Sequence, residues 1–183
     1  MRTPLRTALG GAAALAVVGA VTAVTFQASA AEQTLPPRPR PSATPSPSPI
    51  TPPAGLRQLG SYRVVSGTQT YTCAKGTFVG ASVPEAKLVG TGGRIHHFQG
   101  PSWQSERDGS LVTAVKVGEQ RRDGTIPELL LEINSHSGPA DGILAKATHI
   151  QRLATSGGVA PARKCRDGQT ASVRYGARYV FWG

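Results

Sequence analysis

The segment SVRYGARYVF, residues Ser172–Phe181, is the clearest indication of fold class in this chain of 183 residues. Its apolar and aromatic side chains occupy every second position, namely Val173, Tyr175, Ala177, Tyr179 and Phe181. The residues between the first four of these are small or basic. A period of two is typical of a β-strand that turns one face toward a core. The segment therefore predicts a half-buried strand close to the C-terminus.

Further short apolar runs precede this strand. Leu111–Val117 and Leu129–Ile133 are predicted strands, and the second is apolar on both faces, which indicates a central position. Ile143–Leu153 is a longer candidate strand with weaker alternation. Tyr62–Val65 and Gln69–Cys73 are predicted to form an N-terminal pair of strands. These runs have strand length, and together they predict a sheet-rich domain.

Four Asp-Gly dipeptides punctuate the same region. They are Asp108-Gly109, Asp123-Gly124, Asp141-Gly142 and Asp167-Gly168. Asp tolerates left-handed backbone angles and Gly adopts them freely, so each dipeptide predicts a tight turn. No segment carries a sustained helical stripe, and the best candidate, Pro84–Leu88, is too short. The sequence predicts a single all-β domain, and both a sandwich and a barrel fit this pattern.

The first thirty residues have the plan of a signal peptide. Arg2 and Arg6 give a positive start, Ala8–Val24 is uncharged and apolar, and Ala28–Ala30 supplies small residues for cleavage. The apolar run is short for a membrane anchor and is diluted by glycines. We therefore expect residues 1–30 to be removed, the protein to be secreted, and no stable membrane insertion after cleavage.

A proline-rich segment follows the predicted cleavage site. Nine of the fifteen prolines lie between Pro36 and Pro53. Such a composition cannot bury a core and favours extended polyproline II. Residues 31–55 are therefore predicted to be a disordered linker, acting as a stalk or as a simple leader. The all-β domain is expected to span residues 56–183.

Cys73 and Cys165 are the two cysteines of the chain. Disulfides form and persist in the oxidising compartments that exported proteins reach. A metal-binding or redox pair would be expected to show a C-x-x-C spacing, which is absent from the sequence. The two residues are therefore predicted to form one disulfide that closes a loop of about 90 residues.

The chain is basic, with a formal net charge of +10. A secreted basic protein is expected to meet extracellular acidic glycans, anionic cell-wall polymers or membrane headgroups. Nucleic acid is a weaker candidate because aromatic residues make up only 5% of the chain and are not interleaved with the basic ones. No sequence feature predicts a cofactor.

The candidate site residues are His97, Trp103, Asp108 and Arg152. The first three lie close together in sequence and combine an imidazole, a large ring and a carboxylate. One interpretation is a small pocket with Trp103 as a stacking platform. The other is structural, with turns at Gly100-Pro101 and at Asp108 and with Trp103 anchored on the core. Arg152 interrupts an apolar run, so it is expected to face solvent or to pair with a carboxylate such as Asp108.

Motifs for catalysis or metal binding are weak. His96 and His97 are neighbours in a predicted strand, so they should point to opposite faces and not bind one ion. Glu132 and His136 have helical spacing in a segment predicted as strand and turn. Ser102 lacks the second glycine of a nucleophile elbow. We therefore assign no catalytic residue and no metal ligand, and we expect a non-catalytic binding or surface-associated module. The alternatives are a hydrolase using His97 and Asp108, and a purely structural envelope protein.

Four groups of residues also suggest a family. They are Gly67–Cys73, then His97–Gln104 with Asp108–Ser110, then Ile126–Pro127 before Leu129–Leu131, and finally Ile150–Leu153 continuing through Cys165 to Tyr175–Phe181. Their order and spacing resemble domain-of-unknown-function family 3455, a group of mostly secreted bacterial and fungal proteins. The resemblance spans residues 60–183. It implies no activity, because the family has none established.

Overall fold

The computed structural model describes residues 48–183, which contain nine β-strands. The strands are β1 (Gln58–Ala74), β2 (Thr77–Phe78), β3 (Val83–Gly90), β4 (Gly93–Phe98), β5 (Ser102–Ser105), β6 (Leu111–Gln120), β7 (Glu128–Ser137), β8 (His149–Gly157) and β9 (Thr170–Trp182). The predicted signal peptide, and the predicted linker as far as residue 47, lie outside the described residues. Within residues 48–183 no helix is long and apolar enough to span a membrane.

Eight of these strands close into an antiparallel barrel. The order is β1-β3-β4-β5-β6-β7-β8-β9, and β9 pairs back onto β1 along most of both strands. The short β2 folds back as a hairpin on the end of β1. The all-β prediction is therefore confirmed, and of the two architectures that the sequence left open the barrel is the one adopted.

Alternation along the strands separates the barrel interior from its outer surface. In β9, Tyr175, Ala177 and Tyr179 are buried, whereas Arg174 and Arg178 are exposed. One face of this strand thus contributes to a continuous apolar core, as its period of two predicted. The same core receives side chains from the other long strands of the barrel.

Two predicted strand boundaries were wrong. Tyr62–Val65 and Gln69–Cys73 are not a pair of strands but parts of the single strand β1, which continues through a register shift between Val64 and Ser66. Such a bulge adds a residue and bends the strand without ending it. The predicted strand Ile143–Leu153 begins only at His149, because the residues before it form turns. Pro84–Leu88 lies in β3.

The connections fall at two ends of the barrel. Residues 79–82, 99–101, 121–127 and 158–169 connect strands at one end, which we call the open end. Residues 91–92, 106–110 and 138–148 connect them at the other, the closed end. There the 138–148 connection inserts Leu144 and Ala147 into the core. All four Asp-Gly dipeptides lie in these connections, as predicted.

The disulfide joins Cys73, near the end of β1, to Cys165 in the connection between β8 and β9. Cys73 is buried in a small second cluster with Tyr71 and Phe78. The predicted bridge is therefore confirmed. It ties the first strand of the barrel to the connection that precedes the last one.

Part of the predicted linker packs on the barrel. Ile50 is 5% exposed, and its carbonyl accepts a hydrogen bond from Nε2 of Gln151 at 2.7 Å. Oε1 of Gln151 in turn accepts a hydrogen bond from Nε1 of Trp182 at 2.9 Å. Ser48 donates to Gln120. The domain was predicted to start at residue 56. The packed part of the chain therefore begins earlier than that residue.

Candidate functional site

The barrel interior contains a cavity of about 790 Å³ at the open end. Apolar side chains from β1, β6 and β7 make much of its wall, including Tyr71, Ala114, Leu129 and Leu131. Loop residues 80–82 and 99–101 contribute to its lining. Three of the four candidate site residues, His97, Trp103 and Arg152, also line this cavity.

His97 extends from β4 into the barrel and is only 2% exposed. Its Nδ1–H donates a hydrogen bond to the carbonyl oxygen of Ser102 at 2.8 Å, which leaves Nε2 unprotonated as an acceptor. Burial lowers the pKa of His97 to about 4, while the bond to Ser102 opposes this shift. The positive charge of Arg152 lowers the pKa further. The imidazole is therefore neutral at neutral pH.

Trp103 lies directly opposite His97 in the pairing of β4 with β5. The two rings are stacked, with centroids 4.3 Å apart and planes at 5°. The rings of Trp103 and Tyr179 meet in an edge-to-face arrangement with centroids 5.8 Å apart. Trp103 is 1% exposed, and its indole packs against His97 and Tyr179. Its Nε1 is buried and has no hydrogen-bond partner among the described residues.

Arg152 occupies an inward position on β8, opposite Tyr179 of β9. Its Nε and one terminal nitrogen both donate to the carbonyl of Pro127, at 3.1 and 2.9 Å. The expected alternative that Arg152 pairs with a carboxylate such as Asp108 was therefore wrong, and the side chain is half-buried at the cavity wall. In the described part of the chain, no carboxylate lies within 4.0 Å of this guanidinium.

Asp108 is separate from the other three candidates. It lies in the closed-end connection 106–110, which contacts the start of β4 through the bond from Glu106 to Arg94. His97 is three residues further along β4, a distance of about 10 Å along the strand. The structure thus does not bring His97 and Asp108 together as the acid–base pair of the hydrolase hypothesis.

The contacts of Asp108 are those of a turn. One carboxylate oxygen accepts from the backbone N–H and the hydroxyl of Ser110, and the other accepts from the N–H of Ile143 at 2.9 Å. These hydrogen bonds hold the pKa of the Asp108 carboxyl well below its usual range. Asp108 therefore holds the 138–148 connection against the closed end.

Gln69 and Tyr179 also line the cavity, and sequence reasoning missed both; the other polar or charged residues of the lining are Ser82, Gln99, Lys116 and Glu119. Gln69 is 3% exposed; its Oε1 accepts from Ser82 at 2.5 Å, and its Nε2 has no partner among the described residues. The hydroxyl of Tyr179 lies 3.3 Å from that of Tyr175. One signal was present for Gln69, because it is a polar residue on the same strand face as Tyr71 and Cys73.

The remaining histidines have separate partners. His96 points away from His97, as strand geometry predicted, and its Nε2 lies 2.7 Å from a carboxylate oxygen of Glu85. His136 donates to the carbonyl of Ala147, and it lies with Glu132 in a strand, where helical spacing does not apply. Among the described residues, no three potential metal ligands cluster.

Fold and cavity together define a closed eight-stranded antiparallel barrel with a ligand-sized interior opening at one end. The family model described as "Protein of unknown function (DUF3455)" matches residues 79–183, more than half of the chain. The chain therefore belongs to this family, as the resemblance predicted. The match includes β3 to β9 and begins after β1. No curated protein and no solved structure matches the chain at a significant level.

Proposed function

We propose that this protein is an extracellular binding protein that holds a small ligand, or one end of a larger one, inside the open end of its barrel. The observation that supports the proposal is the cavity of about 790 Å³. Its volume falls within the range of about 300–1,000 Å³ that small-molecule sites occupy. An eight-stranded barrel is also wide enough to hold one small ligand.

The composition of the cavity wall supports binding over catalysis. Most of the wall is apolar, and a few polar groups converge on it from different strands, as in sites that orient a ligand. His97 faces the cavity without Asp108, and Glu119, the carboxylate in the cavity lining, is paired with Lys116 and Arg121. The arrangement therefore supports retention of a ligand and supplies no evident proton-transfer pair.

The extracellular part of the proposal has its own support. The signal-peptide pattern of residues 1–30 predicts export, and the Cys73–Cys165 disulfide is consistent with an oxidising compartment. Extracellular glycans and anionic cell-wall polymers stay our predicted partners. A polymer would have to insert a chain end or a side group, because the candidate site residues His97, Trp103 and Arg152 line the cavity inside the barrel.

The proposal can be tested with an uncharged fluorescent probe, N-phenyl-1-naphthylamine. We expect the probe to bind the purified protein with one-to-one stoichiometry. Ala114→Leu should weaken binding at least fivefold, because Ala114 lines the cavity and is 3% exposed. Thr113→Leu, at the adjacent position that does not line the cavity, is the matched control and should leave binding unchanged.

The unfolding free energy of each variant would be measured alongside. Failure of the folded wild-type protein to bind the probe would contradict the proposal and favour a purely structural role. If Ala114→Leu and Thr113→Leu weakened probe binding equally, the probe would bind outside the barrel. That result would also contradict the proposal.

A further inference from the structure

We propose that the ligand is an organic carboxylate, with its carboxylate at Arg152 and an apolar body along the cavity wall. This inference rests on the proposed function and names its ligand class. It is carried by a cation without a counter-ion, by two buried donors without acceptors and by the apolar wall that surrounds them.

Arg152 carries a positive charge that no carboxylate among the described residues neutralises within 4.0 Å. Its guanidinium contacts the carbonyl of Pro127, which is a neutral acceptor. Two carboxylates of the surrounding segments are already engaged: Glu128 binds Arg122 and the N–H of Ala154, and Glu119 binds Lys116. A partly buried cation without an ionic partner is costly, so the site favours an anion that arrives with the ligand.

Two hydrogen-bond donors near the cavity lack an acceptor within residues 48–183. Nε1 of Trp103 and Nε2 of Gln69 are buried without partners among the described residues, and both side chains line the cavity. The hydroxyl of Ser82 donates to Oε1 of Gln69, which leaves the amide nitrogen as the free group. Buried donors are nearly always satisfied in folded proteins. Acceptor oxygens on a ligand would satisfy them once neighbouring side chains move aside, because each donor has less than 1 Å² of exposed surface.

The Tyr179 side chain lies next to both Arg152 and Trp103. Tyr179 is opposite Arg152 in the pairing of β8 with β9, and its ring centroid is 5.8 Å from that of Trp103. Arg152 and the indole of Trp103 are thus separated by a single side chain. A guanidinium that lines a cavity binds a carboxylate through charge-assisted hydrogen bonds, and the Tyr179 ring lies between this guanidinium and the indole.

The rest of the wall determines the body of the ligand. Ala114, Ile126, Leu129 and Leu131 offer no hydrogen bonds from their side chains. His97 is neutral and stacked on Trp103. A body covered with hydroxyl groups would leave most of them unpaired here, whereas an alkyl chain or an aromatic ring would bury apolar surface.

Displacement of N-phenyl-1-naphthylamine at pH 7 by decanoate, decanol and glucuronate tests this inference. We expect decanoate to bind at least tenfold more tightly than decanol, and glucuronate to bind weakly. Arg152→Met should weaken decanoate binding at least tenfold more than decanol binding, so that the preference for decanoate is lost; the affinity of the variant for the probe is measured separately. The matched control is Arg178→Met on the exposed face of β9, which should change none of these affinities.

Gln69→Leu gives a second variant should Arg152→Met fail to fold, and it should weaken decanoate binding more than decanol binding. Equal affinities of the wild-type protein for decanoate and decanol would overturn the inference, while probe binding would leave the proposed function intact. Tight glucuronate binding without decanoate binding would contradict the inference that the body of the ligand is apolar. Absence of probe binding would instead remove the proposed function itself.

Discussion

Polar residues inside the barrel are the part of this molecule that packing alone does not explain. Gln69, His97, Trp103 and Arg152 all direct polar groups into a largely apolar interior, and two of these groups have no partner among the described residues. An apolar residue at any of these positions would avoid the cost of desolvation. Their presence at one end of the barrel is consistent with a binding site there.

The buried imidazole of His97 should make the protein less stable in acid. Its pKa is about 4 when folded and about 6.5 when unfolded, so the unfolded state binds the proton first as pH falls. The stability that the neutral ring contributes is complete above about pH 6.5 and is lost as pH falls toward 4. Between pH 7 and pH 4.5 the loss should be about 2 kcal/mol.

Urea unfolding at the two pH values measures this loss. His97→Phe keeps a flat ring against Trp103 and should reduce the difference between pH 7 and pH 4.5 by about 2 kcal/mol. His96→Gln, at the half-buried neighbouring position whose ring contacts Glu85, should retain the wild-type difference. Equal pH dependence in the wild-type protein and His97→Phe would show that His97 is not the titrating group.

Asp108 should matter for stability and not for binding. Asp108→Ala leaves the N–H groups of Ser110 and Ile143 without their acceptor, which should cost about 2–3 kcal/mol of unfolding free energy. Affinity for N-phenyl-1-naphthylamine should be unchanged, because Asp108 lies at the closed end. Asp123→Ala, in another Asp-Gly turn, is exposed and should cost less than about 0.5 kcal/mol. A hydrolytic role for Asp108 would instead appear as lost activity in a stable variant.

Proximity in the sequence correctly grouped His97 with Trp103. It also grouped them with Asp108, which lies at the closed end of the barrel. His97 and Trp103 are close in sequence, and a short turn makes them a directly opposed pair across β4 and β5. Asp108 is equally close to Trp103 in sequence, but β5 carries the chain back to the opposite end of the barrel. Arg152 reaches the site only through the pairing of β7, β8 and β9, which local patterns do not specify.

At the scale of single elements, the strands with clear alternation or strong apolar runs were predicted, and short or bent ones were not. β9 follows a simple period of two, whereas the bulge in β1 shifts the register and makes one strand resemble two. Leu144 and Ala147 of the 138–148 connection pack into the core at the closed end. Their apolar character resembles that of a strand, which is why the predicted strand Ile143–Leu153 began too early.

The Cys73–Cys165 bridge should contribute strongly to stability because it joins residues 92 positions apart. Replacing both cysteines by alanine should lower the unfolding free energy by about 4–5 kcal/mol in the chain-entropy model. Urea unfolding of Cys73→Ala/Cys165→Ala against the oxidised wild-type protein measures the loss. A loss below about 1 kcal/mol would mean that β1 is held by its strand pairing alone.

At the scale of the whole molecule, closure of the barrel depends on β1 and β9, which lie near opposite ends of the described chain. Their pairing joins Tyr62 to Tyr179 and Thr72 to Thr170. Local patterning predicts each strand but not this long-range partnership, so the sequence left both the sandwich and the barrel open. The cavity is a consequence of closure, and for that reason it could not be predicted from any single segment.

The proposed ligand lies inside the open end of the barrel. The two tryptophans allow a direct test, because Trp103 lines the cavity whereas Trp182 donates to Gln151 elsewhere. The measurement is the ¹H–¹⁵N NMR spectrum of the two indole N–H groups, assigned with Trp182→Phe, during titration with N-phenyl-1-naphthylamine. We expect the Trp103 signal to shift until saturation while the Trp182 signal stays in place. A shift of Trp182 alone, or of neither signal at saturating probe, would contradict the claim.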